Sequence, residues 1–372
     1  SKRFNSLDRN YYRIIYYNCL ILNRKKKYQS SENKISELNL YNNFKKDNFY
    51  LSKLLDLISK KNEKIKNYKK SADSIIERNK IIINSQNNNQ HSRDSILKTI
   101  DAYKKFYKKE MFSGLNLFSE PKDKRLTFLI GFPRSGTTLL DTILRSHSKT
   151  IIIEEKPHLL NCRHNFFKNN DNNLDSINKI TKEEVANLRN IYFNNIGLDN
   201  SNENMVIIDK FPLNIIELGF INIIFPNAKI ILALRHPCDV AISCFFSNFK
   251  INEAMINFLK WDHTIQFYDK VFELFEIYEK ETGLKIYKIK YENVVNNFEK
   301  EINNLLKFLG LKFEKNLTNF FETASKRERI ATPSYSQVIN PIYKTSIGRW
   351  KNYTNILNAE KSLSKWIKKF EY

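Results

Sequence analysis

The chain has few of the residues that build covalent or metal-held scaffolds. Its 372 residues include four cysteines, Cys19, Cys162, Cys238 and Cys244, none in a CxxC pair or at metal-ligand spacing. A disulfide framework is therefore excluded, and the cysteines read as free thiols of a reducing, cytoplasmic compartment. The histidines show no metal-ligand grouping either, so no metal is expected. No apolar run approaches the roughly twenty residues of a membrane span, and no cleavable signal is visible. The sequence starts at Ser1, so an upstream targeting segment stays open. Glycine and proline number eight each and are unevenly spread: residues 1–118 hold one glycine and no proline.

Positive charge is abundant, with 62 Lys and Arg against 40 Asp and Glu and a formal net charge of +22. That balance suits nucleic acid, but the basic residues are mostly lysines scattered among Asn and Ile along the whole chain. No helix-turn-helix, zinc-finger or aromatic RNA-binding pattern accompanies them, so no nucleic-acid partner is expected. A basic cleft for an anionic cofactor and an acidic substrate needs only a fraction of the charge. Length suits one large catalytic domain and a smaller one. Residues 1–118 show helical periodicity. Within them FYLSKLLDLISKK and IKNYKKSADSIIERNK, in Asn48 to Lys80, are two amphipathic helices of tetratricopeptide length. Gln86 to Gln90 is a polar loop, and Gly114 to Lys124 a short connection. From Pro121 onward apolar strands alternate with helices, which implies parallel βαβ units with ligands at the strands' C-terminal ends.

The most informative segment is LTFLIGFPRSGTTLLDTIL, Leu126 to Leu144: buried strand, phosphate loop, helix. Gly131, Gly136, Thr137 and Thr138 fit the spacing G-x4-G-x-[ST], in which backbone N–H groups and a helix N-terminus cradle an anion. Nucleoside-triphosphate enzymes carry Lys where this chain has Thr137, and Arg134 stands inside the loop. The loop suits a different nucleotide. Further on, AKIILALRHPCDVAISCFFSNF, Ala228 to Phe249, is a strand ending at Arg235 and a helix with Ser243 eight residues after that arginine. A guanidinium at a strand end and a hydroxyl in the next helix can meet one terminal phosphate.

Four blocks in order, PRSGTTLL at Pro133 to Leu140, DKFPLN at Asp209 to Asn214, the Arg235 to Ser243 pairing and SYSQVINPIYKTSIGRW at Ser334 to Trp350, carry a family resemblance. The chain resembles sulfotransferases that use 3′-phosphoadenosine 5′-phosphosulfate, closest to the tyrosylprotein sulfotransferases and the bacterial tetratricopeptide-repeat sulfotransferases. The resemblance runs from about Leu126 to Tyr353. It implies that Arg134, Ser135, Gly136, Thr137 and Thr138 hold the 5′-phosphosulfate, Arg235, Ser243 and Arg349 the 3′-phosphate, and Tyr291 the nucleotide. It also implies catalytic roles for Arg134, for Glu155 as base, for Lys210 beside the bridging oxygen and for Ser334 on the leaving-group side. Glu155 lies at the end of the strand Thr150 to Ile153, with Glu154 expected to point the other way, solvated or in support. His158 is the rival base, as in cytosolic small-molecule sulfotransferases. The tyrosylprotein sulfotransferases usually have Gly before the acidic residues, where this chain has Ile153.

The expected fold is α/β, a P-loop-like parallel sheet flanked by helices, with an N-terminal all-helical tetratricopeptide-like region over 1–118 and a catalytic domain over 119–372. The expected activity is sulfuryl transfer from that cofactor to a hydroxyl acceptor, leaving 3′,5′-adenosine bisphosphate. Peptide tyrosine, a glycan or a small molecule remain open as acceptors, and acceptor residues are expected in 161–204 and 250–264. A homodimer stays open as the assembly. Competing classes are a P-loop nucleotide kinase, disfavoured by Thr137 and the absence of a second acidic magnesium motif, and a scaffold on a dead transferase.

Overall fold

The structure is a computed structural model that describes residues 9–85, 92–107, 125–197, 204–325 and 344–372. The expected loop at 86–90, the connection at 114–124 and Ser334 lie outside the described residues. The chain divides into two compact units, neither a single stretch of sequence. The first comprises residues 1–93, 245–265 and 349–362; the second comprises 94–244, 266–348 and 363–372.

Helices build the first unit: α1 (Arg9–Arg24), α2 (Tyr28–Glu37), α3 (Leu40–Phe44), α4 (Asn48–Lys64) and α5 (Tyr68–Ser85). The α4 helix begins where the Asp47 carboxylate accepts the Tyr50 backbone N–H at 3.1 Å, satisfying one of the amide donors left over at a helix start. Its Leu51, Leu54 and Leu55 share one face and enter a core with Ile15, Cys19, Leu40 and Phe44. With so little glycine available, the turns after these helices place other residues in the left-handed region: Lys26 at φ 59°, Asn39 at 44° and Lys66 at 63°. Each such residue costs about 1 kcal/mol that glycine would not.

Arg78 of α5 is fully buried. Its guanidinium donates to the carbonyls of Phe246 at 3.0 Å, Phe245 at 3.2 Å and Ser247 at 3.3 Å, and pairs with Asp56 at 3.0 Å. Phe245 and Phe246 close the helix Pro237–Phe246, whose last carbonyls have no partner within the helix and carry its negative end. A cation there satisfies both needs at once.

In the second unit five strands, β1 (Leu126–Gly131), β2 (Thr150–Glu154), β3 (Val206–Lys210), β4 (Lys229–Leu234) and β5 (Lys285–Lys290), form one sheet in the order β2-β3-β1-β4-β5. Every pairing is parallel, with Leu129 opposite Lys210 and Gly131 opposite Ala233. The fold is the expected α/β class, and its inner strands β1 and β4, LTFLIG and KIILAL, read as the apolar runs that a sheet covered on both faces requires. Leu129, Ile208, Ile231 and Ile289 pack with Leu140 and Ile143 of the helix Thr137–Arg145 and with Ile302, Leu305 and Leu306 of the helix Phe298–Leu309. Alternation sends Phe128 to the opposite face, against Tyr192 and Phe225. The helices Tyr291–Asn296 and Phe298–Leu309 are separated at Asn297, whose φ of −135° and ψ of 51° leave the helical region. Residues 94–106 of the helix α6 (Arg93–Phe106) join this unit, where the Tyr103 hydroxyl donates to Glu217 at 3.1 Å and Lys104 pairs with Glu273 at 2.6 Å. Among the described residues no helix is long and apolar enough to cross a membrane.

Removing the Arg78 guanidinium should take a buried donor from three carbonyls and a counter-ion from Asp56, which keeps Lys60 at 2.6 Å, while the Phe245 carbonyl keeps the Asn79 amide at 3.4 Å. Arg78→Met is expected to destabilise the protein by about 3 kcal/mol, in the range for breaking a buried ion pair. Chemical denaturation that finds wild-type stability would show the carbonyls to be otherwise satisfied.

Candidate functional site

Parallel strands deliver the candidate residues by their C-terminal ends. β1 runs into the loop Phe132 to Gly136, β3 ends on Lys210, β2 on Glu154 with Glu155 next, and β4 on Leu234 with Arg235 next. Two clusters result, both within the second unit.

The first surrounds the phosphate loop. Gly131 permits close packing of strand and loop: a Cβ there would stand 2.7 Å from the Ala233 carbonyl oxygen and 2.7 Å from Ser135 Oγ. Gly136 has φ 101°, and its Cβ would meet Cδ2 of Tyr291 at 2.9 Å, so only glycine fits without moving the ring. Thr137 and Thr138 open the helix Thr137–Arg145 and are buried. Arg134 takes the left-handed region at φ 71°, a strained position of the kind that collects at ligand sites. Its Nε donates to Ser243 Oγ at 3.0 Å, while its carbonyl accepts from Arg235 Nη1 at 3.2 Å. Arg235 lies over the Tyr291 ring at 5.0 Å and donates through Nη2 to the Ser346 carbonyl at 2.5 Å. The structure thus brings Arg134, Ser135, Gly136, Thr137, Thr138, Arg235, Ser243 and Tyr291 together. The buried Ser135 Oγ and Arg235 Nε have no hydrogen-bond partner. Orphaned donors in and beside a glycine-bearing loop are the chemistry an oxyanion satisfies.

The second cluster surrounds Lys210, which is fully buried. Its Nζ donates to Glu155 Oε1 at 2.7 Å and lies 3.5 Å from Glu154 Oε1 and 3.7 Å from Asp141 Oδ2. Glu155 stands just past β2 at φ 49°, held there by its backbone N–H donating to the Lys210 carbonyl at 2.8 Å. Ile153 does not disturb the path; the irregularity is borne by Glu155 itself. Glu154 supports Lys210 rather than facing solvent, with 13% of its side chain exposed against 34% for Glu155. His158 packs edge-on to Tyr192 at 6.3 Å, and burial with the charge of Lys156 pushes its pKa below the usual histidine value.

Asp209 points away from Lys210 along the strand. It is buried, its Oδ2 accepts from the Tyr192 hydroxyl at 2.7 Å, and its Oδ1 has no partner. Burial, only partly offset by Tyr192 and Lys210, pushes its pKa up to about 7.

Arg349 belongs to the first unit, where it forms a two-pronged pair with Glu63, Nη2 to Oε2 at 3.0 Å, and lies over the Phe246 ring at 4.9 Å. Sequence reasoning missed Asp141, Arg145 and Asp239. Asp239 accepts from the Gly348 backbone N–H at 2.7 Å and stands 3.9 Å from Arg235; its place four residues after Arg235 in a helix was the available signal.

The sequence model described as the sulfotransferase family matches residues 127–315, just over half of the chain. The chain belongs to that family. Among curated proteins it is 28% identical over 311 residues to an uncharacterised protein of Aquifex aeolicus, covering 79% of this chain and 39% of that one. It is 24% identical over 235 residues to protein-tyrosine sulfotransferase A of Caenorhabditis elegans, covering 60% of each, and 24% identical over 257 residues to human protein-tyrosine sulfotransferase 1, covering 64% and 68%. The chain thus spans less than two thirds of the length of the first two of these relatives. Among solved structures, the sulfotransferase domain of a Synechococcus olefin synthase aligns with a TM-score of 0.47 at 20% identity, over 66% of this chain and 94% of that domain.

The raised Asp209 pKa has a consequence for stability. The unfolded carboxyl ionises near 4, whereas the folded one keeps its proton to about 7. The stability that this proton contributes is present in full below pH 4 and is lost as pH rises through 7. Asp209→Asn, which keeps an acceptor for Tyr192, should flatten that part of the curve; denaturation at pH 5 and pH 8 in both proteins measures the difference.

Proposed function

We propose that this protein is a sulfotransferase that takes 3′-phosphoadenosine 5′-phosphosulfate and a hydroxyl acceptor and releases 3′,5′-adenosine bisphosphate. One observation carries the reading: the partnerless Ser135 hydroxyl and Arg235 Nε beside the Gly136 cradle, with the Glu155–Lys210 pair on a neighbouring strand of the same sheet. These residues fit the cofactor. Ser135, Gly136, Thr137 and Thr138 would hold its 5′-phosphosulfate, Arg134 the sulfuryl oxygens, Arg235 and Ser243 its 3′-phosphate and Tyr291 its base. The family resemblance alone assigns Ser334 to the leaving-group side and Arg349 to the 3′-phosphate. When bound, the cofactor supplies an electrophilic sulfuryl group on a nucleotide leaving group. Glu155, the most exposed carboxylate around Lys210, takes the proton of the attacking hydroxyl. Lys210 and Arg134 are fixed cations that stabilise the negative charge developing on the transferred and departing oxygens, so no reorganisation is needed at the moment of reaction. Loop and helix N-terminus orient the donor for in-line attack.

Peptide tyrosine is the acceptor we favour, supported by the relatives named for protein-tyrosine sulfation and by the basic balance of the chain. A glycan or small alcohol is the second reading. A P-loop kinase is the alternative of another class, and Thr137 at the lysine position speaks against it. We also read residues 1–118 as tetratricopeptide-like and 119–372 as the catalytic domain. Two helical pairs support repetition: α1 with α2 and α4 with α5 are joined by three-residue turns centred on Lys26 and Lys66, and Tyr28, Ser31 and Ile35 recur forty residues on as Tyr68, Ser71 and Ile75. Four buried free thiols favour a reducing, cytoplasmic setting.

Incubation with labelled phosphosulfate cofactor and a panel of tyrosine peptides, glycans and phenols tests the activity, with ATP turnover as the control for a kinase. Glu155→Gln should keep bisphosphate affinity within a few-fold and lower kcat about 100-fold or more. Loss of turnover in His158→Ala with a mild Glu155→Gln would move the base to His158. Arg235→Ala should weaken 3′,5′-adenosine bisphosphate by about 2 kcal/mol, the worth of a charge-assisted contact, and leave 5′-AMP nearly unchanged; equal calorimetric losses for both nucleotides would place the 3′-phosphate elsewhere.

A further inference from the structure

Lys210 is surrounded by more negative charge than it needs. Asp141 and Glu154 each face two cations. Asp141 Oδ2 stands 3.7 Å from Lys210 Nζ while its Oδ1 accepts from Arg145 Nε at 3.1 Å and lies 2.9 Å from Arg145 Nη2. Glu154 places Oε1 3.5 Å from Lys210 Nζ and Oε2 3.9 Å from Arg145 Nη2. The four side chains close a ring, Lys210, Asp141, Arg145, Glu154, of two positive and two negative charges. Three elements build it: the helix after the phosphate loop supplies Asp141 and Arg145, β2 supplies Glu154 and β3 supplies Lys210. Arg145 is tied to β2 a second time by donating from Nη1 to the Ile152 carbonyl at 3.3 Å.

Glu155 lies outside this ring. It makes the shortest contact to Lys210, yet it is a third carboxylate beside the two that already face Lys210, and its side chain is 34% exposed where Lys210 and Asp141 are at 0%. A buried ammonium whose only counter-ion departed would lose its compensation and its position. Here departure of Glu155 leaves two carboxylates, Asp141 and Glu154, facing Lys210.

We propose that Asp141, Glu154 and Arg145 are positioning residues that keep Lys210 charged and in place, so that Glu155 can leave it for the acceptor hydroxyl. The inference rests on the sulfotransferase reading for its catalytic consequence, whereas the ring is a claim about these side chains alone. Asp141 is the informative member, being buried and in contact with both cations without itself lying in the phosphate loop.

Asp141→Asn preserves shape and removes one negative charge from the ring. It should lower kcat at least tenfold with bisphosphate affinity and the cofactor KM within twofold, and Asp141→Glu should recover part of the rate. Arg145→Met, at the ring's more exposed corner, should act in the same direction and serves if Asp141→Asn does not fold. A kcat within twofold of wild type in the folded variants, or an equal loss in affinity and rate, would overturn the assignment. A second measurement stands apart from turnover: thermal melts of Asp141→Asn, Lys210→Met and the double variant form a cycle. Coupling predicts a double-variant loss smaller than the sum of the single losses; additive losses would refute the ring. Absence of turnover in the wild-type protein with coupling intact would count against the sulfotransferase reading and leave the ring standing.

Discussion

A sheet in which all five strands run the same way imposes one condition on everything else: every strand exposes its C-terminal end on the same edge. Residues far apart in sequence then meet without any loop having to reach. Lys210, Glu154 and the phosphate loop come from β3, β2 and β1, which are neighbours in the order β2-β3-β1, and Arg235 follows β4 on the other side of β1. The phosphate loop emerges from the central strand, so it sits in the first cluster with Arg235 on one side and the Lys210 cluster on the other. An anion held there meets a helix N-terminus and backbone amides, the environment in which negative charge is stabilised without a metal ion.

Strand alternation sorts the charges. Asp209 and Lys210 are adjacent and both fully buried, but successive side chains leave a strand on opposite faces. Lys210 therefore enters a cluster rich in carboxylates, while Asp209 enters an apolar environment with one hydroxyl partner and is held near neutrality by burial. Two neighbouring residues of opposite formal charge thus have unlike roles, and neither depends on pairing with the other.

The helical unit works with different means. Almost without glycine, it turns its chain through Lys26, Asn39 and Lys66 in the left-handed region, and it draws residues 245–265 and 349–362 into its own packing. Arg78 satisfies the carbonyls that end one helix, and Glu63 takes up the guanidinium of Arg349. Both contacts join helices of the early sequence to segments more than 160 residues later, so this unit's stability is written in parts of the sequence that reading from one end does not connect.

The sequence by itself determined the alternation of strand and helix after Pro121, the parallel sheet, the phosphate loop and the residues at its strand ends, because each rests on local features: an apolar run, a glycine spacing, a charged residue where the run stops. It also carried the helical hairpin of α4 and α5, whose apolar faces repeat at helical spacing. Only the tertiary structure decided what those residues touch. That Glu154 supports Lys210, that Asp141 and Arg145 close a ring with them, and that Arg349 pairs with Glu63 depend on which elements pack side by side. Asp141 reads in sequence as one polar position in an amphipathic helix, and Arg78 as one more basic residue among 62. Charge pairing across the fold is a property of distances between chain segments, and a one-dimensional pattern carries no information on those distances until the sheet order is known.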